Sequence, residues 1–288
     1  MFKILNSVIL CVVTNLAPFL GLGQDHVKPK FSPFSAKAYD KISWGFRAGI
    51  SMTTPHFADV DARKILDAQP TLGWTAGALV QFKLNAKYAF QTEFGYSQKT
   101  SVFIYDQGFS RNEMVMNFVD ASMLLRRKIP FEWGKEIESE FIISIGPNVN
   151  YWLDAKGNMK SGDGAGLDYT VVFDEVPDAN YNNLYLNGIN RALFGIELGI
   201  GVNAPITARQ KVYVEFRATL GQTNLGTTKS TSYIDIVGFG GSTFQEHLLK
   251  SNLKTFSISA AYTFSYNYFN ARKGHSTKDK LYHKPKHR

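Results

Sequence analysis

Apolar and polar residues alternate at every second position along much of the chain. The stretch YAFQTEFGYSQKT, residues 88–100, places aromatic side chains on one face and polar side chains, including Glu93, on the other. Successive side chains of a β-strand point to opposite faces, so this pattern predicts a strand with one apolar and one polar side.

Eight segments follow this two-residue period, and each has about ten residues, the length of a transmembrane strand. Strands of soluble sandwiches are usually nearer five or six residues. The fourth segment alternates less regularly, and Pro147 in the fifth predicts a bulge or a bend. The segments run roughly over 42–50, 72–82, 88–96, 114–128, 140–152, 192–204, 211–220 and 254–264.

Aromatic residues lie near both ends of these segments, which is typical of the two interfacial girdles of a membrane barrel. The residues that fit such girdles are Trp44, Tyr88, Tyr96, Tyr151 and Tyr262.

The connections between the segments alternate between short and long. LNAK, PFEWGKEIE and PITARQ are short, whereas the other connections span roughly 51–70, 101–112, 153–187 and 222–250. Short turns on one side and long loops on the other are typical of bacterial outer-membrane barrels. The sequence therefore predicts an all-β fold, an eight-stranded antiparallel transmembrane β-barrel with short periplasmic turns, long extracellular loops and outer-membrane lipid around it.

The two ends of the chain differ from the barrel in composition. Lys3, an apolar run, and the small residues Gly21 and Gly23 predict a signal peptide over 1–23. We expect an N-terminal periplasmic segment over 24–40, the barrel over 41–268 and a basic periplasmic tail over 269–288. Cleavage after Gly23 removes Cys11, the only cysteine, so we expect no disulfide and no thiolate metal ligand.

The net charge of +8 is concentrated in the tail. Residues 271–288 contain seven Lys or Arg and one Asp, so the remaining chain is nearly neutral. This distribution argues against a nucleic-acid-binding surface. The tail has too few apolar groups to form a core, and two interpretations stay open: a solvated extension, or a tether to an anionic periplasmic partner.

Six charged residues occupy predicted inward positions. An eight-stranded barrel is just wide enough for side chains to fill it, and buried charges must be paired. A plug of ion pairs is therefore favoured over a proton or ion path. Glu197 neighbours Arg217. Glu93 instead neighbours Asp120 on the next strand, so one of these two acids needs an arginine across the lumen or a bound proton. The six are Arg47, Glu93, Asp120, Glu197, Glu215 and Arg217.

Sites for metals and catalysis are weakly indicated. The 153–187 connection has the acidic residues expected of a calcium site but no calcium-loop spacing, so a solvated acidic loop is favoured. STFQEHLL, residues 242–249, has a capping-box pattern that predicts a short helix carrying an exposed His247. No predicted strand carries a histidine, and His26, His56 and His247 do not converge with a serine and an acid. We therefore expect no enzyme activity, no metal and no cofactor.

Several motifs resemble the PorT-like family of Bacteroidetes outer-membrane β-barrels. They are FRAGIS, GWTAGALVQFKLNAKYAFQTEFGYSQKT, FVDASMLLRRKIPFEWG and SIGPNVNYWL, and the resemblance covers roughly 42–266. It includes a Gly-rich second strand, a Tyr-Ser-Gln-Lys ending on the third, a Pro at the end of the fourth and a Gly-Pro break in the fifth. The long third and fourth loops and the basic tail depart from the family pattern.

The resemblance implies an accessory role in an envelope assembly, such as protein secretion, because the family's namesake assists a secretion system. The long loops favour an alternative, a surface receptor or adhesin that binds an external ligand. A pore is disfavoured because eight strands leave no open channel.

Overall fold

Eight antiparallel strands form a closed ring in the computed structural model of the chain. The structure describes residues 42–58, 60, 62–105, 110–133, 137–161, 166–175, 183–206, 210–233 and 249–266. The predicted signal peptide, the 24–40 segment and the basic tail lie outside the described residues, as does nearly all of the helix predicted over 242–249. The ring strands are β1 (Ile42–Phe57), β3 (Thr71–Lys83), β4 (Tyr88–Tyr105), β5 (Ser110–Trp133), β6 (Ile137–Ser161), β9 (Ala192–Pro205), β10 (Gln210–Leu220) and β12 (Ser251–Tyr266).

The strand order around the ring is β1, β3, β4, β5, β6, β9, β10, β12 and back to β1. This closure leaves none of these strands at an open edge within the membrane, where an unpaired backbone group has no water to bind. At the periplasmic end, only four residues separate β3 from β4, three separate β5 from β6 and four separate β9 from β10. In the first turn, Asn85 Oδ1 accepts hydrogen bonds from the backbone nitrogens of Lys87 and Tyr88 at 2.8 and 2.7 Å, which stabilises the reversal of the chain.

The outer face of the ring carries an apolar band. On β1 the outward side chains from Ile42 to Met52 are mostly large and apolar, and Phe46 is 59% exposed. Ten residue steps of about 3.4 Å on a strand tilted by about 40° span roughly 26 Å, the height of a lipid-facing band. The band therefore matches the hydrocarbon layer of an outer membrane.

Several strands are longer than the membrane requires. β5 has 24 residues and β6 has 25, about twice the number that crosses a bilayer. Their outer halves combine with the end of β4 and four short strands into what we call the extracellular sheet. The short strands are β2 (Leu66–Gln69), β7 (Gly166–Phe173), β8 (Asn183–Ile189) and β11 (Gly226–Tyr233).

The extracellular sheet begins where β6 leaves β9. The β6–β9 pairing ends at Tyr151, and from Lys156 to Lys160 β6 pairs with β7 instead. β7 pairs in parallel with β8, which pairs with β11, while β2 pairs with the end of β4. The one-turn helix α1 (Ala62–Ile65) precedes β2. In the part of the chain that the structure describes, no helix has both the length and the apolar character needed to cross a membrane.

The inside and the outside exchange polarity between the two halves of the molecule. In the membrane half, the inward side chains are mostly polar or charged. In the extracellular half, the inward side chains form an apolar cluster that includes Phe57, Phe103, Phe118, Trp152 and Leu184, each at most 2% exposed. Water outside the membrane favours this arrangement because it drives apolar groups inward.

The structure corrects three details of the sequence interpretation. The connections at 51–70, 101–112, 153–187 and 222–250 each contain strand residues, so the acidic 153–187 segment is not simply a solvated loop. The sequence predicts no histidine on a strand, but β1 extends to Phe57 and therefore includes His56. No bulge lies at Pro147, since the β5–β6 register is the same on both sides of it. The register shift lies instead at Leu153, where β6 turns away from β9 and toward β7.

Candidate functional site

The centre of the barrel holds a network of buried arginines and glutamates on five strands. Their positions follow from the alternation of the strands, which turns every second side chain into the lumen. Small residues next to them leave space for the long side chains. At Gly199, an added Cβ would overlap the Ser144 hydroxyl and lie 2.6 Å from Glu215 Oε1, so this glycine makes room for the network.

Arg217 on β10 is the centre of the network. Its guanidinium contacts Glu93 Oε1 at 2.6 Å, Glu197 Oε1 at 2.9 Å and Glu215 Oε2 at 2.7 Å. Glu197 lies on the neighbouring strand β9 and Glu93 lies on β4, across the lumen. The Arg217 side chain is 1% exposed, so all of these contacts are shielded from water.

Two further arginines balance the charge. Arg47 Nη1 lies 2.9 Å from Glu93 Oε2 and 3.9 Å from Glu197 Oε1. Arg126 Nη2 lies 3.1 Å from Glu215 Oε2 and its guanidinium stacks 4.4 Å from the centre of the Tyr213 ring. Three arginines thus face three glutamates. This neutrality matters because an unpaired charge in this environment would cost several kcal/mol.

Asp120 lies outside this network. Asp120 faces Gly95 across the β4–β5 ladder, whereas Glu93 faces Ser122. The two acids therefore lie at different heights in the lumen, two residues apart along the strands. Asp120 Oδ1 accepts a hydrogen bond from Asn150 Nδ2, and Asn150 Oδ1 accepts one from Lys99 Nζ at 3.0 Å. Among the predicted interior charges, five therefore converge and Asp120 belongs to a separate layer on the extracellular side.

Sequence reasoning missed Arg126 and Lys99. Lys99 is six residues from Glu93 and has the same two-residue phase, so the alternation alone places it inward. Arg126 has the phase of Asp120, but the inward apolar Leu124 between them hides the pattern. Both residues could have been found by extending the phase of a known inward residue to the ends of its strand.

The lumen is closed at more than one level. Toward the periplasm, Leu79, Ile142, Tyr213 and Ala261 form a small apolar cluster. At the same end, Lys211 Nζ contacts Glu140 Oε1 at 3.5 Å. Toward the outside, the lumen is covered by the apolar cluster of the extracellular sheet. This interior is filled by side chains, which is the arrangement that an eight-stranded barrel permits.

Within the described ranges, no group of three or more His, Cys, Asp or Glu side chains has the geometry to hold a metal ion. Of the acidic residues in the 153–187 connection, which the sequence analysis considers for calcium, Asp163 and Asp178 lie outside those ranges. Asp168 accepts a hydrogen bond from Asn158 Nδ2 at 2.5 Å, and Asp174 Oδ1 accepts one from the backbone nitrogen of Gly188 at 3.0 Å.

The closed ring agrees with a sequence comparison. Residues 30–226 match the family described as outer membrane protein beta-barrel domain. The chain belongs to this family. It is thus an outer-membrane protein, and its eight-stranded fold is as the alternation predicts. No curated protein is significantly similar to it.

Solved structures of small outer-membrane barrels resemble the chain at low identity. OprG from Pseudomonas aeruginosa is 9% identical, with 78% of this chain and 96% of OprG covered and a TM-score of 0.42. Ail, the attachment invasion locus protein of Yersinia pestis, is 10% identical in its complex with the heparin analogue sucrose octasulfate, with 78% and 99% covered and a TM-score of 0.31. Neisserial surface protein A is 8% identical, with 77% and 97% covered and a TM-score of 0.32.

Proposed function

We propose that the protein is a closed, non-enzymatic outer-membrane barrel that presents its extracellular sheet to a binding partner outside the cell. The observation that carries this proposal is the apolar cluster above the membrane, which includes Phe118, Trp152 and Leu184. A cluster of this kind gives the outer strands a packed core, and a packed core holds a surface in one shape. Binding surfaces are usually loops or strand ends that a rigid scaffold positions.

The interior supports a role as an anchor. Arg217 and Glu93 bridge the lumen, and the charges of the network are neutralised by one another. Each arginine and each glutamate of the network is paired with an opposite charge inside the barrel, which suits a structural role. The interior then stabilises the barrel, and binding takes place on the extracellular sheet.

The proposal is tested with full-length protein in lipid nanodiscs, applied to an array of serum proteins, extracellular-matrix proteins and glycans. The matched control is a variant in which residues 162–190 are replaced by a short Gly-Ser linker, which removes β7 and β8 and leaves the ring strands intact. We expect at least one probe to bind the full-length protein and not the shortened variant. Equal binding by the two proteins, or no binding across the array, would contradict the proposal.

A role in an envelope assembly is the second candidate, and protein secretion is its most specific form. It is supported by the resemblance to PorT-like barrels and by the seven basic residues of the tail. An acidic periplasmic protein or anionic envelope polymer would be the natural partner of such a tail, through contacts that weaken with salt. Loss of secreted proteins after truncation at Asn270, with normal barrel assembly, would favour this second role.

A further inference from the structure

A buried lysine lies on the extracellular side of the arginine–glutamate network. Lys99, on the inward face of β4, is 4% exposed. Its Nζ donates to Asn150 Oδ1 at 3.0 Å and lies 4.9 Å from the centre of the Phe118 ring. Among the described residues no carboxylate comes within 4.0 Å of this ammonium, whereas each arginine of the network has one. A buried charge without a direct counter-charge is costly, which makes Lys99 a candidate for a chemical role.

The side-chain amide of Asn150 connects Lys99 to an acid. Asn150 is 2% exposed and faces Asp120 directly across the β5–β6 ladder. Its Nδ2 donates to Asp120 Oδ1, and its Oδ1 accepts from Gln222 Nε2 at 2.6 Å as well as from Lys99 Nζ. The acceptor on one side and the two donors on the other fix the orientation of this amide. Three neighbouring strands, β4, β5 and β6, therefore supply an amine, an acid and an amide in contact.

The surroundings of these three groups are apolar on the extracellular side. Phe118 and Trp152 are fully buried, and their ring centres are 6.2 Å apart in a stacked arrangement. Met116, which faces Lys99 across the β4–β5 ladder, is buried as well. An apolar environment favours the neutral form of an amine, because the ammonium loses its hydration there. The neutral amine is a nucleophile, whereas an ammonium has no free electron pair.

We propose that the side chains of Lys99 and Asn150 form a covalent amide bond, with Asp120 as the acid–base group. The bond joins β4 to β6 across β5, at the base of the extracellular sheet. It forms once in each molecule, so it is a modification of the chain and not an enzymatic turnover. It goes beyond the proposed function and does not depend on the partner that the extracellular sheet binds.

The reaction is a transamidation. Asp120 takes a proton from the Lys99 ammonium, since the attraction of Asp120 on Lys99 exceeds that of Glu197. The neutral Nζ then attacks Asn150 Cγ, which is one bond from the Oδ1 that Nζ already contacts. Gln222 Nε2 donates to the oxygen on which negative charge develops. Asp120 passes its proton to Nδ2 and accepts one from Nζ.

The atoms and charges of this step balance without an oxidant or a reductant. The Nζ–Cγ bond forms, the Cγ–Nδ2 bond breaks, and ammonia leaves with the proton of the original ammonium. The uncharged amide replaces a buried positive charge, while the partly exposed Asp120 keeps its charge in contact with water. The two linked residues are 51 positions apart, so the cross-link restricts the unfolded chain as a disulfide does.

Peptide mapping of refolded protein tests the proposal. The full-length chain is recovered unfolded from inclusion bodies, one part is refolded into detergent micelles, and the other part stays in urea before both are digested with trypsin. In the refolded protein we expect a branched peptide that joins residues 88–111, uncut after Lys99, to residues 136–156, with a mass one ammonia below the sum of the two. The urea sample should contain only separate peptides. Absence of the branched peptide after refolding, or its presence in the urea sample, would overturn the proposal.

Three variants assign the roles of the side chains. Lys99→Arg keeps the charge without the reactive amine and should give no branched peptide. Asp120→Asn cannot transfer the proton, so the branched peptide should form at least about a hundredfold more slowly, the usual effect of an acid–base group. Asp154→Asn is the matched control, because Asp154 also accepts from an asparagine amide, that of Asn117, but on the outward face. It should react like wild type.

A heat-induced shift on a denaturing gel shows that each variant is folded. A branched peptide in folded Lys99→Arg would place the cross-link elsewhere, and equal rates for wild type and folded Asp120→Asn would contradict the role of the acid.

Discussion

Arg217 and Glu93 join opposite walls of the barrel through a two-pronged contact. Arg217 Nη1 donates to Glu93 Oε2 at 2.7 Å and Nη2 donates to Glu93 Oε1 at 2.6 Å. β10 and β4 are four strands apart in either direction around the ring, so the pair spans the full diameter. A planar guanidinium matches a carboxylate in this geometry, and a lysine ammonium does not.

Removing Arg217 should strongly destabilise the barrel. Arg217→Ala leaves three buried carboxylates with two arginines, and the free energy of unfolding should fall by about 3–5 kcal/mol, as for other broken buried pairs. Adding Glu93→Gln should recover part of this loss. Arg111→Ala is the matched control, since the Arg111–Glu113 pair is about half exposed and should contribute less than about 1 kcal/mol. Urea unfolding in detergent micelles measures all three; an equal effect of Arg217→Ala and Arg111→Ala would contradict the network.

Arg191 should hold the bulge of β6 in place. Its Nε donates to the carbonyl of Trp152 at 3.1 Å and its Nη2 to the carbonyl of Leu153 at 3.0 Å. Arg191→Ala should cost about 1.5–3 kcal/mol, the value for a hydrogen bond from a charged donor. The loss should be local, because β6 changes its partner at this point. Deuterium uptake should rise in 152–160 and stay unchanged in 88–97; a uniform rise in both segments would contradict a local role.

Gly157 provides the space for the ring of Tyr169. The two residues pair directly across β6 and β7, and a Cβ on Gly157 would overlap the ring. The ring is 2% exposed and its hydroxyl donates to Asn112 Oδ1 at 2.9 Å, so it has little freedom to move. Gly157→Ala should therefore destabilise the extracellular sheet by about 1–3 kcal/mol.

Gly166→Ala is the matched control for that substitution, because the nearest atom to its added Cβ is 3.8 Å away. Limited proteolysis of the extracellular sheet measures the effect, while the heat-induced gel shift of the barrel should not change. Equal protease sensitivity of the two variants would show that the Gly157–Tyr169 contact is not tightly packed.

Tyr169 should also make the extracellular sheet sensitive to alkali. Burial raises the pKa of the Tyr169 phenol well above its usual value of about 10. In the unfolded chain the phenol loses its proton near that usual value. Its contribution to stability is therefore fully present below about pH 10 and decreases as the pH rises above it.

The near-ultraviolet absorbance of tyrosinate measures this effect. Slightly above pH 10, folded wild type and folded Tyr169→Phe should have the same absorbance, because Tyr169 keeps its proton. After unfolding, wild type should show more tyrosinate absorbance than Tyr169→Phe, by roughly half of one tyrosinate or slightly more, because the unfolded phenol is about half ionised near its pKa. A difference already present in the folded proteins would mean that the phenol is exposed to solvent.

The sequence predicts the ring because the two-residue period assigns each side chain to a face. Arg47, Glu93, Glu197, Glu215 and Arg217 are inward in the structure for this reason. The contacts across the lumen cannot be obtained in the same way. They depend on the relative heights of strands that are not neighbours, and the period within one strand carries no information about those heights.

The alternation does not predict the extracellular sheet, because the inward face changes from polar to apolar along one strand. On β5, Ser122 and Arg126 point inward and Met123 points to lipid, but farther out Met114 and Met116 point inward and Asn117 points outward. A pattern searched for as apolar outside and polar inside becomes irregular where water replaces lipid. The irregular fourth segment was therefore a sign that the strand crosses both environments.

Conductance in a planar lipid bilayer tests the closed interior most directly. The contacts of Arg217 with Glu93 and of Arg126 with Glu215 block the lumen, and the apolar cluster that contains Trp152 and Leu184 covers it. Purified full-length protein should insert without producing regular current steps, at every salt concentration tested and at both polarities of the applied voltage. Reproducible single-channel steps that scale with salt concentration would show that the lumen is open, and would contradict a function located on the extracellular sheet alone.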